Sequence, residues 1–156
     1  MRAKVFLETS VISYLTALPS RDIVHAAHQQ ITRDWWDQRS RFDLYVSQAV
    51  LREAARGATD AAARRLAVVE DIPVLAVTAE ASELAERFLH EGTLPAKAAI
   101  DAIHIAVAVI NGMDYLLTWN CSHIANARIR GRIEKTCRDA GFQPPVICTP
   151  EELMEE

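Results

Sequence analysis

PAKAAIDAIHIAVAVINGMDYLLTWNCSHIAN, residues 95–126, reads as a helix, a glycine stop and a short strand. Pro95 suits a first-turn helix position. Ile100, Ile103, Val107 and Ile110 recur at helical spacing and predict one apolar face. Ala102, Ala106 and Ala108 are small enough to let the helix lie close on a neighbouring layer. Gly112 ends it, and Tyr115-Leu116-Leu117 reads as a buried strand running into the polar Thr118-Trp119-Asn120. Asp101 breaks the pattern. A carboxylate between Ile100 and Ala102 is expensive to cover unless it has a partner, a cation or water.

Working outward, Ala3 to Leu7 predicts a first strand, with Glu8-Thr9-Ser10 turning into a helix that Ser10 caps and that ends before Pro19. Ser20 is the expected cap of a second helix, Arg21 to about Arg39. Asp43 to Val46 predicts a second strand, with Ser47 capping a helix through Glu53 to Arg56, and Gly57 closing it. A helix from Thr59 or Asp60 towards Glu70, a strand at Pro73 to Val77 and a helix at Thr78 to His90 follow. Beyond Asn120, Ala127 to Ala140 predicts a helix and Pro145 to Cys148 a last strand. Strands alternating with helices call for a mostly parallel sheet covered on both faces. The expected fold is a three-layer α/β/α sandwich, one domain over 1–150 with a short tail at 151–156.

The 156 residues suffice for one sizeable core. A net charge of −4 excludes a generally basic nucleic-acid-coating protein but leaves room for a local basic patch. The apolar start is too short for a signal peptide, and the longest apolar run, Ala102 to Ile110, is too short for a membrane span. Three widely spaced cysteines form neither a zinc pattern nor a disulfide framework, so a reducing cytoplasm is the simplest setting.

In a parallel sheet the binding crevice lies at the carboxyl ends of the strands. Glu8 follows the first strand, Asn120 the fourth, Glu53 lies in the helix after the second, and Asp101 opens the helix leading to the fourth. Each has a bland reading too: a cap for Glu8, an exposed helix acid near Arg52 or Arg56 for Glu53, a turn residue for Asn120. Their joint placement is what informs. Three carboxylates and an amide at one rim make an oxygen-only site suited to Mg²⁺ or Mn²⁺, and the chemistry that follows is phosphodiester hydrolysis.

Thr9, Ser10 and Thr118 adjoin this rim and are candidates for hydrogen bonds to phosphate, with capping as the other reading. His123 and Asn126 fall in the loop after Asn120. Arg128, Arg132 and Lys135 follow helical spacing and could hold an RNA backbone, or simply form a solvated face. His104 reads as a packed core histidine, because a hard cation does not call for imidazole. His25 and His28 read as structural or solvated. Of Trp35 and Trp36, one is expected in the core and the other exposed.

Val5-Phe6-Leu7-Glu8-Thr9-Ser10, the Asp101-Ala102-Ile103-His104-Ile105-Ala106 run and Asp114 to Asn120 resemble, in order and spacing, the opening strand, D-A-x-H-x-A helix and last acidic strand end of PIN domains. The resemblance implies a VapC-like toxin of a toxin–antitoxin pair, a Mg²⁺- or Mn²⁺-dependent ribonuclease with a cognate antitoxin and homodimeric early helices. By position, Glu8 stands for the family's first aspartate, Glu53 for its glutamate and Asp101 for its central aspartate, the three metal ligands. Asn120 replaces a fourth acid, which implies one well-held cation. The alternative is a PIN-like RNA- or protein-binding module of weak or no catalysis. A nucleotide-binding regulator is disfavoured, since no Gly-rich phosphate loop is present.

Overall fold

The computed structural model describes residues 1–155. In chain order it contains β1 (Ala3–Leu7), α1 (Thr9–Thr16), α2 (Ile23–Asp37), β2 (Phe42–Ser47), α3 (Gln48–Ala54), α4 (Thr59–Val68), β3 (Val74–Leu75), α5 (Ala79–His90), α6 (Ala99–Ile110), β4 (Tyr115–Leu117), α7 (Ala127–Asp139) and β5 (Val146–Cys148). The strands form one sheet in the order β3-β2-β1-β4-β5, every pair parallel. Helices flank it as the alternation predicts, in an α/β/α sandwich. Val5, Phe6 and Leu7 of the central strand are wholly buried, as a strand covered on both faces requires.

The decisive stretch folds somewhat differently from its sequence pattern. Pro95 stands ahead of a 3-10 turn at Ala96–Ala98, and α6 proper begins at Ala99. The Ile stripe is not the deepest face: Ile100 is exposed and Ile103 and Ile110 are only partly covered, whereas everything from Ile105 to Val109 is buried. The reason is steric. Packed against both α3 and α5, α6 needs small residues on its contact faces, and alanine supplies them.

The helix starts are also partly redistributed. Ser47 caps α3 as expected, accepting from Val50 N at 3.1 Å, while Thr78, expected as the first helical residue, caps α5 by accepting from Ala81 N at 3.2 Å. Asp22 takes the cap of α2 from His25 N at 3.0 Å, while Ser20 Oγ accepts from Asp22 N one step earlier. Ser10 lies inside α1, and the cap position belongs to Glu8. β3 shrinks to two residues because only Val46 and Ser47 at the sheet's edge pair with it. Trp35 is buried and stacked on Phe42, while Trp36 is half-buried beneath Arg39, whose guanidinium carbon lies 4.5 Å from its ring centroid.

Gly57 leaves α3 with φ +87°, in the left-handed region. Gly57→Ala is expected to cost about 1 kcal/mol through backbone strain alone, read as a lower urea midpoint with an unchanged m-value. At the other end of the chain, Glu152 accepts from Thr149 N at 3.0 Å and lies 3.8 Å from Arg130, tying the C-terminal turn to α7. Cys137 and Cys148 are buried, burial pushing their thiols up to about 11 and about 12, and Cys121 is exposed. Among the described residues no helix is long and apolar enough to cross a membrane.

Candidate active site

The chain runs outward from β1 to β2 and β3, then returns to place β4 on the other side of β1. This reversal opens a crevice at the carboxyl ends of β1 and β4. A cleft of about 450 Å³ occupies it, lined by Glu8, Thr9, Ser10, Ser13, Tyr14, Glu53, Arg65, Asp101, Trp119 and Asn120. The four expected site residues thus meet in one cleft.

Glu8 sits at the N-cap of α1 but makes no side-chain cap bond. Its N–H extends the β1–β4 ladder to Leu117 O at 3.0 Å, while its carboxylate turns inward and is 4% exposed. Ser10 Oγ donates a short hydrogen bond to Glu8 Oε1, and Thr118 Oγ1 donates to the same oxygen at 2.6 Å. Behind these hydroxyls stand two backbone donors, Trp119 N to Ser10 Oγ at 2.8 Å and Asn120 N to Thr118 Oγ1 at 2.9 Å. The end of β4 therefore fixes the orientation of the acid that follows β1. Thr118 is wholly buried, and its hydroxyl is spent on Glu8. Burial pushes the Glu8 carboxyl above its usual range, against the opposing pull of His104 and the two hydroxyls.

Glu53 reaches the cleft from the last turn of α3, its side chain 30% exposed. His104 Nε2 is hydrogen-bonded to Glu53 Oε1 at 3.0 Å, and this bond holds the Glu53 carboxyl below its usual range. His104 is wholly buried, so the packed-histidine reading holds, yet the ring also belongs to the site. Glu8, Glu53 and His104 each offer a ligand atom, all within 4.8 Å of one another.

Asp101 lies in the first turn of α6, where the helix N-terminus favours an acid. It lines the cleft but stands outside the tight group, its Oδ2 held at 2.9 Å by His123 Nδ1 from the loop after β4. The expected triad of acids is thus a pair of glutamates backed by histidine, with Asp101 beside them. Asn120 Oδ1 accepts from Ser122 N at 3.2 Å and His123 N at 3.0 Å, which shapes the loop that delivers His123. Its turn reading and its place on the rim are both realised.

The remaining candidates separate. Thr9 is buried against the cleft, and its side chain helps hold the Glu53 carboxyl below its usual range. Asn126 caps α7, accepting from Arg128 N at 2.9 Å and donating to Cys121 O at 2.9 Å. Arg128 is exposed and does not line the cleft, and Arg132 lines a different groove with Glu91, Thr93, Lys135 and Asp139. Sequence reasoning missed Arg65, which lines the cleft from α4 and donates to the carbonyls of Ala54, at 2.9 Å, and Arg56. No motif marked it, although the carbonyl end of α3 predicts a nearby cation. Tyr14 was also missed, for its half-buried ring gives no signal in the sequence.

The donor set fits a hard divalent cation. Carboxylate oxygens are hard donors, and His104 Nε2 is already committed to Glu53. Glu8 is a buried acid to which no Lys or Arg among the described residues is bound, the setting in which a cation offsets the desolvation penalty.

Among solved structures, the fold is similar to VapC20 of Mycobacterium tuberculosis, described as a Sarcin-Ricin loop cleaving toxin, with TM-score 0.59 and 21% identity over 76% of this chain and 92% of that one. It is also similar to VapBC2 of Rickettsia felis, bound to a DNA fragment from its promoter, with TM-score 0.55 and 13% identity over 94% and 98% of the two chains. Comparison with curated protein sequences gives no match. The PIN-domain family profile matches residues 5–120. That span runs from β1 to Asn120 and takes in every acid of the cleft, and by it the chain belongs to the PIN-domain family.

Proposed function

We propose that this protein is a divalent-cation-dependent endoribonuclease acting as the toxin of a toxin–antitoxin pair. One observation carries the reading: Glu8, Glu53 and Asp101 converge in a single cleft, and among the described residues no Lys or Arg pairs with the most buried of them. Glu8 and Glu53, with Asp101 beside them, would hold a Mg²⁺ or Mn²⁺, which would supply Lewis acidity and lower the pKa of water there. The chain's own groups do the positioning. Ser10 and Thr118 fix the Glu8 carboxylate, His104 fixes Glu53, and His123 fixes Asp101. The Arg65 guanidinium brings positive charge to a cleft that must admit a phosphate. The likeness to VapC20, a Sarcin-Ricin loop cleaving toxin, and to the VapBC2 complex supports an RNA substrate and an antitoxin partner. In this reading the protein pairs with a second copy and works in the cytoplasm.

The test is cleavage of structured RNA by the purified protein with Mg²⁺ or Mn²⁺, alongside calorimetric titration with Mn²⁺. Cleavage that a chelator stops is expected. Retained RNA binding without Mn²⁺ binding points instead to a non-catalytic module. Asn120→Asp gives a further check. An aspartate can accept the same bonds from Ser122 N and His123 N, so stability stays within about 0.5 kcal/mol, while the added charge raises Mn²⁺ affinity severalfold in the same titration.

A further inference from the structure

Beside the acidic cleft, between α1 and α2, lies a second pocket of about 380 Å³, and Ser13 and Tyr14 line both hollows. The Tyr14 ring is half-buried and meets His25, His28 and Trp119 edge to face, at centroid distances of 5.8, 5.5 and 6.0 Å. Trp119 is fully committed: its Nε1 donates to Thr32 Oγ1 at 2.8 Å, and His28 stacks on it at 4.0 Å. Tyr14 is not, since its hydroxyl makes no hydrogen bond among the described residues. Ala17 and Leu18 add apolar wall, and the Gln29 amide below is spent on Leu18 O and Ser20 N, at 2.9 and 3.0 Å. Among the described residues no Lys or Arg lines the pocket, so it is not built for a phosphate. A flat group with apolar faces suits it.

We propose that this pocket, walled by Tyr14, is a stacking subsite for an unstacked nucleobase of single-stranded RNA whose backbone lies in the acidic cleft. The inference rests on the ribonuclease reading and adds to it where the neighbouring base goes. Single-stranded RNA is recognised by splaying bases onto aromatic rings, and such stacking tolerates any base. The shared Tyr14 wall gives the base a continuous path from a phosphate held at the rim.

The experiment uses the full chain carrying Asp101→Asn, in Mn²⁺, with two labelled oligomers of equal length: a mixed-sequence RNA and an abasic ribose-phosphate chain. Binding is read by fluorescence anisotropy. Tyr14→Ala is expected to weaken the RNA about tenfold and to leave the abasic oligomer unchanged, and Tyr14→Phe to recover the affinity. Ala17→Trp, at an exposed position, fills the pocket without touching the core and is expected to give the same base-selective loss. Unchanged RNA affinity, or equal weakening of both oligomers, overturns the subsite. So does a change in sedimentation mass without a change in RNA binding, which assigns the pocket to a contact between copies. If the Asp101→Asn background binds neither oligomer, the ribonuclease reading falls together with the subsite. RNA binding indifferent to Tyr14 removes the subsite alone.

Discussion

Glu8→Gln is expected to lower RNA cleavage about a hundredfold or more while raising the thermal midpoint of the cation-free protein by a few degrees. The two effects share a cause. Glu8 is buried with its pKa raised above the ordinary 4.5 by desolvation, so the folded protein holds its proton more tightly than the unfolded chain does. Its contribution to stability is fully present below the unfolded value and is lost as pH rises through the raised folded value. Above that window the ionised acid is a liability in the absence of a cation. Glutamine keeps the acceptor for Ser10 and Thr118 but has no charge to desolvate. Melting in chelator should therefore show parent and variant alike at about pH 4 and the variant ahead at about pH 8. Saturating Mn²⁺ should reverse the order, because a ligand that binds only the folded state stabilises only the protein able to hold it. An active site that strains its own fold is the expected trade. Glu53 behaves with the opposite sign. Its carboxyl is lowered by the His104 hydrogen bond, so it stabilises above the unfolded value and that support disappears as pH falls through the folded one.

His104→Ala should damage both stability and chemistry, and His104→Gln should separate the two. Removing a wholly buried ring leaves a cavity, for which about 2–5 kcal/mol is the usual loss. It also frees Glu53 from the bond that sets its rotamer, an outer-shell loss worth about 10- to 100-fold in cation affinity or activity. A glutamine amide reaches about as far as Nε2 and can donate to Glu53 Oε1, though it packs less well against Phe6. The glutamine variant should thus recover cation affinity more completely than stability. Equal losses of affinity in the two variants, measured by Mn²⁺ calorimetry at matched folded fraction, would make His104 a packing residue only.

The architecture is legible because strands and helices alternate with clear stops, and Tyr115-Leu116-Leu117 and the Ser47 cap lie where their chemistry demands. The cleft was legible through the order of Glu8, Glu53, Asp101 and Asn120, since each follows or faces the carboxyl end of a strand. What escaped was set by contacts across the fold. Ser10 and Thr118 are 108 residues apart yet serve one carboxylate oxygen, and a hydroxyl's local capping habit says nothing of that. Its spacing makes His104 a core histidine, whereas a buried ring with one edge on Glu53 serves core and cleft together. Arg132 was grouped with the rim by helical spacing, but spacing gives a face without saying what it looks at.

The most direct test of the account is RNA cleavage by the parent and Asp101→Asn side by side in Mn²⁺, at equal folded fraction. Asp101 is part-exposed at the first turn of α6, so the isosteric amide should fold normally and keep a bond to His123. Cleavage lost in the variant, with the thermal midpoint held, is the predicted result. Cleavage as fast as the parent's would mean that the carboxylates of this cleft do not perform the reaction.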